Sequence, residues 1–265
     1  MTPPPADRDP DRTLAADAAL AGDLVRAAGA LALRMRTAGL SVEQKTSASD
    51  VVTAADHAAE RLIVERLRDA RPDDGILGEE GAAHAGTSGR MWVIDPVDGT
   101  YNYAHGLDWW CSALALTVDG VLALGAVHHA PGNVLWVGGP DHPPTRNGEP
   151  MAPLPDVPLA ETCATTYLHP PFMGGPASDA FARAAAGAAT LRMLGSGTMD
   201  AMAVAQGDLG VRFQHSVADW DRLPGEALVR GLGGAAREVE AGGVSWHVLG
   251  APTAVAEVCA ALTSG

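Results

Sequence analysis

The sequence predicts a layered α/β or α+β fold rather than a purely parallel doubly wound sheet. Three observations carry this. Apolar residues at helical spacing alternate with both single apolar strands and hairpins, and such elements bury their apolar faces by stacking in layers. No G-x-G-x-x-G follows a strand and no G-x-x-x-x-G-K-S/T occurs, so neither nucleotide fingerprint supports a Rossmann or P-loop reading. At 265 residues, 47% hydrophobic and 19% charged, the chain is long and apolar enough to bury a sizeable core.

The elements follow in order. Residues 1–12 are Pro- and Asp-rich with no apolar signal core, and read as a disordered tail rather than a targeting peptide. Leu20, Leu24, Ala28, Leu31 and Met35 mark an amphipathic helix from Leu14 that ends near Gly39. A second helix runs from about Ala54 to Arg68, with Leu62, Ile63 and Leu67 inward. The apolar runs 75–78 and 91–94 are each followed at once by acids, as buried strands with functional ends would be. From Cys111 to Gly139, Asp119-Gly120 and Pro131-Gly132 punctuate three β-rich runs into hairpins, and Asn147-Gly148 is a third such turn. The Pro-rich stretch 140–158 reads as the join between an N-terminal half, 13–150, and a C-terminal half, 151–265. Beyond it we expect a strand near Cys163, a helix over 178–188, a strand over 190–194 and a helix over 199–206. A strand over 209–213, a helix over 219–232 and a final helix over 252–262, opening on Pro252, complete the chain.

Composition narrows the function. Asp and Glu number 32 against 18 Lys and Arg, a formal net charge of −14, so nucleic-acid backbones and anionic membranes are poor partners. No apolar run approaches the roughly 18 residues of a membrane span. Cys111, Cys163 and Cys259 form no C-x-x-C, which indicates neither a disulfide framework nor a zinc cluster and fits a reducing cytoplasm. Lysine occurs once, at Lys45; the other 17 basic residues are arginine.

The acids sit where chemistry is done. In Trp92-Val93-Ile94-Asp95-Pro96-Val97-Asp98-Gly99-Thr100 a buried strand delivers two carboxylates three residues apart. Two carboxylates held this close need a shared proton or a cation, and Mg²⁺ takes oxygen ligands, to which the Val97 carbonyl can add. The same residues also make good turn chemistry. Gly78-Glu79-Glu80 ends the preceding strand and can send one acid to the same place or form a solvated pair. Asp56 opens the second helix as a cap or a site residue, and Asp219-Trp220-Asp221 opens another. Gly195-Ser196-Gly197-Thr198 precedes a helix, where free N–H groups hold anions.

Jointly the pattern resembles the inositol monophosphatase family, in the superfamily of fructose bisphosphatases and bisphosphate nucleotidases. The resemblance rests on Lys45 with Asp50-Val51-Val52-Thr53-x-x-Asp56, Gly78-Glu79-Glu80, the 92–103 segment, and Trp220-Asp221 with Gly233-Gly234 beyond, in family order over about 14–262. It implies an α+β sandwich of alternating α/β/α/β/α layers, with the site at the join of the halves. It also implies two to three Mg²⁺ ions, lithium sensitivity, a homodimer and a small phosphorylated substrate. Glu79, Asp95 and the Val97 carbonyl would hold one ion; Asp95, Asp98 and Asp221 a second; Glu79 would help with a third. Thr100, bonded to Asp56, would with Glu79 orient and deprotonate the attacking water. The Gly99 and Thr100 amides would grip phosphate. Gly195, Ser196, Gly197 and residue 214 would face substrate. Lys45 would lie on a mobile loop near the metals, with Asp50 and Glu80 in support.

Two positions depart from the family pattern. The residue seven before Asp221, often Glu and facing substrate hydroxyls, is Gln214, a neutral donor and acceptor. Arg222-Leu223-Pro224 replaces small residues, an expected change in the pocket wall. Inositol monophosphate leads as substrate, ahead of histidinol phosphate, sugar or adenosine bisphosphates and a secondary-metabolite sugar or cyclitol phosphate. A haloacid dehalogenase-like phosphatase is disfavoured, because Asp98 stands one position out of register for its Asp-x-Asp-Gly-Thr signature. A non-catalytic metal- or phosphate-binding protein on the same fold is the rival of a different class.

Overall fold

The structure, a computed structural model, describes residues 13–39, 42–44 and 51–264. The expected tail over 1–12, Lys45 and Asp50 lie outside these residues. The N-terminal part runs α1 (Leu14–Ala38), β1 (Val42–Gln44), β2 (Val51–Thr53), α2 (Ala54–Ala70), β3 (Gly75–Gly78), β4 (Ala83–His84), β5 (Arg90–Asp98), α3 (Thr100–Ala104), β6 (Cys111–Val118), β7 (Val121–His129), β8 (Val134–Gly139), β9 (His142–Arg146) and β10 (Glu149–Pro150). The remainder runs β11 (Cys163–Tyr167), α4 (Pro176–Ala186), β12 (Thr190–Arg192), α5 (Gly197–Ala205), β13 (Val211–His215), α6 (Asp219–Gly231), β14 (Ala235–Ala241), β15 (Val244–Gly250) and α7 (Pro252–Thr263).

Five layers result. Helices α1 and α2 cover one face of an eight-stranded sheet ordered β10-β9-β8-β7-β6-β5-β3-β4. Helices α5 and α6 lie between it and a five-stranded sheet ordered β12-β11-β13-β15-β14, whose far face carries α4 and α7. Only β3–β5 pair in parallel in the first sheet, and β11 pairs in parallel with both β12 and β13 in the second. The outer core of the first sheet joins Leu24, Val25, Ile63 and Leu67 to Trp92, Ile94, Leu114 and Leu116. Cys111, Val127 and Trp136 of that sheet meet Met199, Met202, Leu228 and Val229 of the middle helices.

Local chemistry accounts for the ends of these elements. Thr13 Oγ1 accepts from the Ala16 N–H at 3.2 Å to cap α1, and Gly39 closes it at φ 107°, a left-handed angle that a Cβ disfavours. Beside the outer core, Asp17 is fully buried and accepts from Arg71 Nε at 3.0 Å and from Arg90 Nη2. Arg90 Nε and Trp92 Nε1 both donate to Asp74, pinning the start of β5 to the turn before β3, while the Arg90–Asp17 contact ties it to α1.

The expected helices and the three hairpins over 111–150 are present within a few residues. Two differences have physical causes. The Pro-rich stretch is not all join: β9 and β10 extend the first sheet, with Pro150 on the edge strand and Pro143 and Pro144 at the register shift between β8 and β9, both places that tolerate proline. Strands β14 and β15, a hairpin turning at Gly242-Gly243, escape the apolar pattern because β14 is half-exposed and carries Arg237, Glu238 and Glu240. The turn pair itself is a hairpin signal.

Helix α6 presses on the first sheet. A Cβ on Gly125 would stand 2.2 Å from the Pro224 carbonyl oxygen. We expect Gly125→Val to lower unfolding free energy by about 1–3 kcal/mol through overpacking, read as a lower denaturant midpoint. An unchanged midpoint would refute the close contact.

Candidate active site

A one-residue bulge organises the acids. Along a regular strand, residues three apart face opposite sides. Asp95 pairs with Ala113 but Asp98 pairs with Cys111, so β5 carries one residue more than β6 across this step. The bulge falls at Pro96-Val97, where Ser112 Oγ donates to the Pro96 carbonyl at 2.6 Å. It turns both carboxylates to one place, and carboxylate oxygens of Asp95, Asp98 and Asp221 lie within 4.8 Å of one another. Asp221 arrives from the first turn of α6, while its neighbour Asp219 is exposed and pairs with Arg222 at 2.7 Å.

Each carboxylate is supported differently. Asp95 is buried, and among the described residues both its oxygens lack a hydrogen-bond partner, an arrangement that calls for a cation. Burial pushes its pKa well up, with Glu79, Asp98 and Asp221 adding repulsion. Asp98 Oδ2 accepts the Thr198 N–H; burial raises its pKa, and that bond and the Arg212 charge oppose the rise. Asp221 is raised to about 7, by burial and then by Asp98. Glu79 follows β3, with its N–H bonded to the Ile94 carbonyl at 3.2 Å beside Asp95. The buried Glu60 of α2 clamps this turn, accepting from the Glu80 N–H at 2.9 Å and the Ala82 N–H at 3.1 Å. Gly78 is glycine because Glu60 Oε2 would lie 2.2 Å from its Cβ. The Glu80 carboxylate adds to the raised pKa of Asp56 and stands 3.9 Å from His57 Nδ1.

Asp56 both caps α2 and faces the acid motif. Its Oδ2 accepts from the Thr53 N–H at 2.9 Å and the Thr53 hydroxyl at 2.5 Å, while Thr53 Oγ1 accepts from Ala55. Its Oδ1 faces Thr100 Oγ1 at 3.1 Å. The Thr100 hydroxyl also reaches the Val97 carbonyl at 2.9 Å; having one proton, it donates to one of the two at a time. Gly99 sits between Asp98 and Thr100 at φ 91°, and a Cβ there would meet Ser196 at 2.9 Å and the Trp109 carbonyl at 3.0 Å. The 195–198 loop thus lies directly over the acid motif.

These donors fit a divalent cation: oxygen ligands, buried, mutually repelling and partly unpartnered. The inositol monophosphatase family matches the chain over residues 14–262. The chain belongs to that family. A fructose-1,6-bisphosphatase/inositol-1-monophosphatase of Thermotoga maritima is 32% identical over 73% of each chain. An inositol-1-monophosphatase of Mycobacterium leprae is 32% identical over 84% of this chain and 82% of its own. In fold, the extragenic suppressor protein suhB of Bartonella henselae covers 96% of this chain and 100% of its own, at a TM-score of 0.84 and 24% identity. A staphylococcal inositol monophosphatase-1 solved as a LiCl-soaked inhibitory complex matches at 0.83 and 19% identity, over 96% and 97%. The family is metal-dependent, and its members hydrolyse phosphate monoesters; this chain is one of its phosphatases.

For this inositol monophosphatase family member, the structure locates the remaining expectations. The 195–198 loop does hold an anion, but the protein's own: Thr198 N–H serves Asp98, and Ser196 Oγ caps α5 by accepting from Met199 at 3.3 Å. Gly195 makes room for Asn102, whose amide donates to the Leu194 and Trp109 carbonyls. Leu223 packs with Val93, Ala115, Leu122 and Ala227 against the first sheet, which draws that side of α6 into the core. Two buried residues have no distinguishing sequence pattern. Asp200 accepts from Trp109 Nε1 at 2.8 Å and Thr165 Oγ1 at 2.6 Å, and burial raises it to about 6. Arg212 is fully buried and donates to Gln214 Oε1 at 3.0 Å.

Raised carboxylate pKa values set the stability of the metal-free protein. Between the ordinary Asp value of 3.8 and the folded value of about 7 for Asp221, the folded state holds protons that the unfolded chain has lost. Stability therefore falls as pH rises through this window. With chelator present, we expect Tm to drop from pH 5 to pH 8, and Asp95→Asn to raise Tm at pH 8. A Tm that rises over this range would overturn the reading.

Proposed function

We propose that this chain is a Mg²⁺-dependent phosphomonoesterase acting on a small phosphorylated polyol, with inositol monophosphate as the leading substrate. The observation that carries the proposal is Asp95, with both oxygens buried and unpartnered beside Asp98 and Asp221. Glu79, Asp95, the Val97 carbonyl, Asp98 and Asp221 would hold the cations. Bound divalent cations supply charge neutralisation at the phosphoryl group and acidify water.

The chain's own groups do the positioning. Asp56, fixed by Thr53, orients the Thr100 hydroxyl, which with Glu79 aligns the attacking water and takes up its proton. Because Asp56 is an acceptor held at one geometry, Thr100 is kept from free rotation. The Gly99 and Thr100 amides, at the start of α3, face the phosphate. Residues 195–197 and Gln214 border the alcohol portion, and Gly99 lies against Ser196. We place the division between halves near residue 150, since the first sheet takes its last strand at Glu149–Pro150 and the second its first at Cys163. The names of the Thermotoga and Mycobacterium relatives support both monophosphate and bisphosphate esters as the substrate class.

The deciding experiment is phosphate release with Mg²⁺ across inositol monophosphate, histidinol phosphate, sugar and adenosine bisphosphates and cyclitol phosphates. We expect inositol monophosphate to rank first; a bisphosphate or histidinol phosphate leading by orders of magnitude would replace it. Asp95→Asn and Asp221→Asn should each abolish turnover, and Thr100→Ala should lower kcat about 10²–10⁴-fold. Full turnover in Asp95→Asn would remove the metal assignment. Li⁺ should inhibit, and rates indifferent to high Li⁺ would count against the same site.

A further inference from the structure

Among the described residues, Arg212 is a charged group without a salt bridge. It lies on β13, 0% exposed, with no carboxylate within ion-pair distance among the described residues. Its Nη2 donates to Gln214 Oε1 at 3.0 Å, its Nη1 stands 3.4 Å from His247 Nδ1, and its Nε has no partner. Gly197 makes space for it, since a Cβ there would lie 2.5 Å from Nη2. Asp98, Asp200 and Asp221 balance its charge from a distance. Burying a guanidinium is costly, and here only these longer-range charges and its hydrogen bonds offset the cost.

Its contact with Gln214 has one chemical consequence. A guanidinium carries only donors, so the Gln214 amide can face it only with Oε1. The flip that leaves glutamine ambiguous elsewhere is closed here. Gln214 is part-exposed, and among the described residues its Nε2 has no protein partner. It sits two residues along β13 from Arg212, on the strand that leads to Asp221.

We propose that Arg212 is a specificity-determining positioning residue that locks Gln214 with its NH₂ toward the ligand. The substrate it selects bears an oxygen acceptor there, such as a hydroxyl lone pair, a carboxylate or a second phosphate. An ester with an ammonium group at that point is rejected twice, by a donor facing a donor and by the guanidinium behind it. This rests on the reading that Gln214 borders the substrate.

The test takes the polyol phosphate that is turned over best and replaces its hydroxyls by amines one at a time. In the wild type, at least one amino analogue should lose about tenfold or more in kcat/KM, carried by KM. The matching phosphonates should show the same ranking in calorimetric binding. Gln214→Glu, whose carboxylate keeps the Arg212 contact and turns an acceptor outward, should erase or invert that preference. Arg212→Met should erase it; if Arg212→Met does not fold, Gln214→Glu decides. Equal kcat/KM for all analogues in the wild type, or unchanged discrimination in Gln214→Glu, overturns the proposal. Absence of phosphate release from every ester instead sinks the phosphatase reading itself.

Discussion

The mutual repulsion of Asp95, Asp98 and Asp221 is the constraint around which the middle of this molecule is built. Their oxygens converge within 4.8 Å, with Asp95 and Asp98 buried and Asp221 partly so. Two carboxylates so placed resist simultaneous ionisation. The fold nonetheless forces the meeting, because a bulge turns Asp98 to the side of Asp95 and the entry of α6 delivers Asp221. The packing that holds α6 against the first sheet, Gly125 against Pro224 and Leu223 among Val93, Ala115 and Leu122, is what keeps the third acid in place.

The surroundings share out compensation unequally. Asp98 receives the Thr198 amide and Asp56 receives two donors from Thr53, so both are held in one orientation. Asp95 receives no hydrogen bond from the described residues. An acid that is only to be buried is bonded, as Asp17 is by Arg71 and Arg90 and Asp74 by Trp92. Leaving Asp95 bare among bonded neighbours reserves it for a ligand with more positive charge than a hydrogen-bond donor offers.

This contrast also explains what sequence makes legible. Asp95, Asp98, Glu79, Asp56 and Asp221 stand out because each follows an apolar run or opens a helix, and a strand-end acid is conspicuous against hydrophobic neighbours. The helices and the hairpins over 111–150 are equally plain, since periodicity and turn residues agree there. Glu60 and Asp200 are not legible: both lie inside helices, where an acid reads as a solvated face, and only tertiary packing brings Glu60 to Gly78 and Asp200 to Thr165 and Trp109. Arg212 is hidden likewise in a β-rich run. The bulge leaves no trace beyond Pro96, although without it Asp95 and Asp98 would face opposite sides.

The choice of arginine at 212 follows from the same repulsion. A lysine ammonium buried beside acids can shed its proton, and would then stop opposing their charge. Burial also lowers the Arg212 pKa, but from so high a starting value that the guanidinium stays charged. Its cation is thus permanent where Asp98, Asp200 and Asp221 need a counter-charge, yet it makes no close ion pair that would fill their coordination positions. A buried positive group set back from the acids lowers their repulsion without competing for the place between them. The net charge of −14 gives the same conclusion at larger scale. The protein's long-range field opposes a phosphate ester, so attraction for such a ligand has to be generated locally, as the cations proposed among Asp95, Asp98 and Asp221 would do.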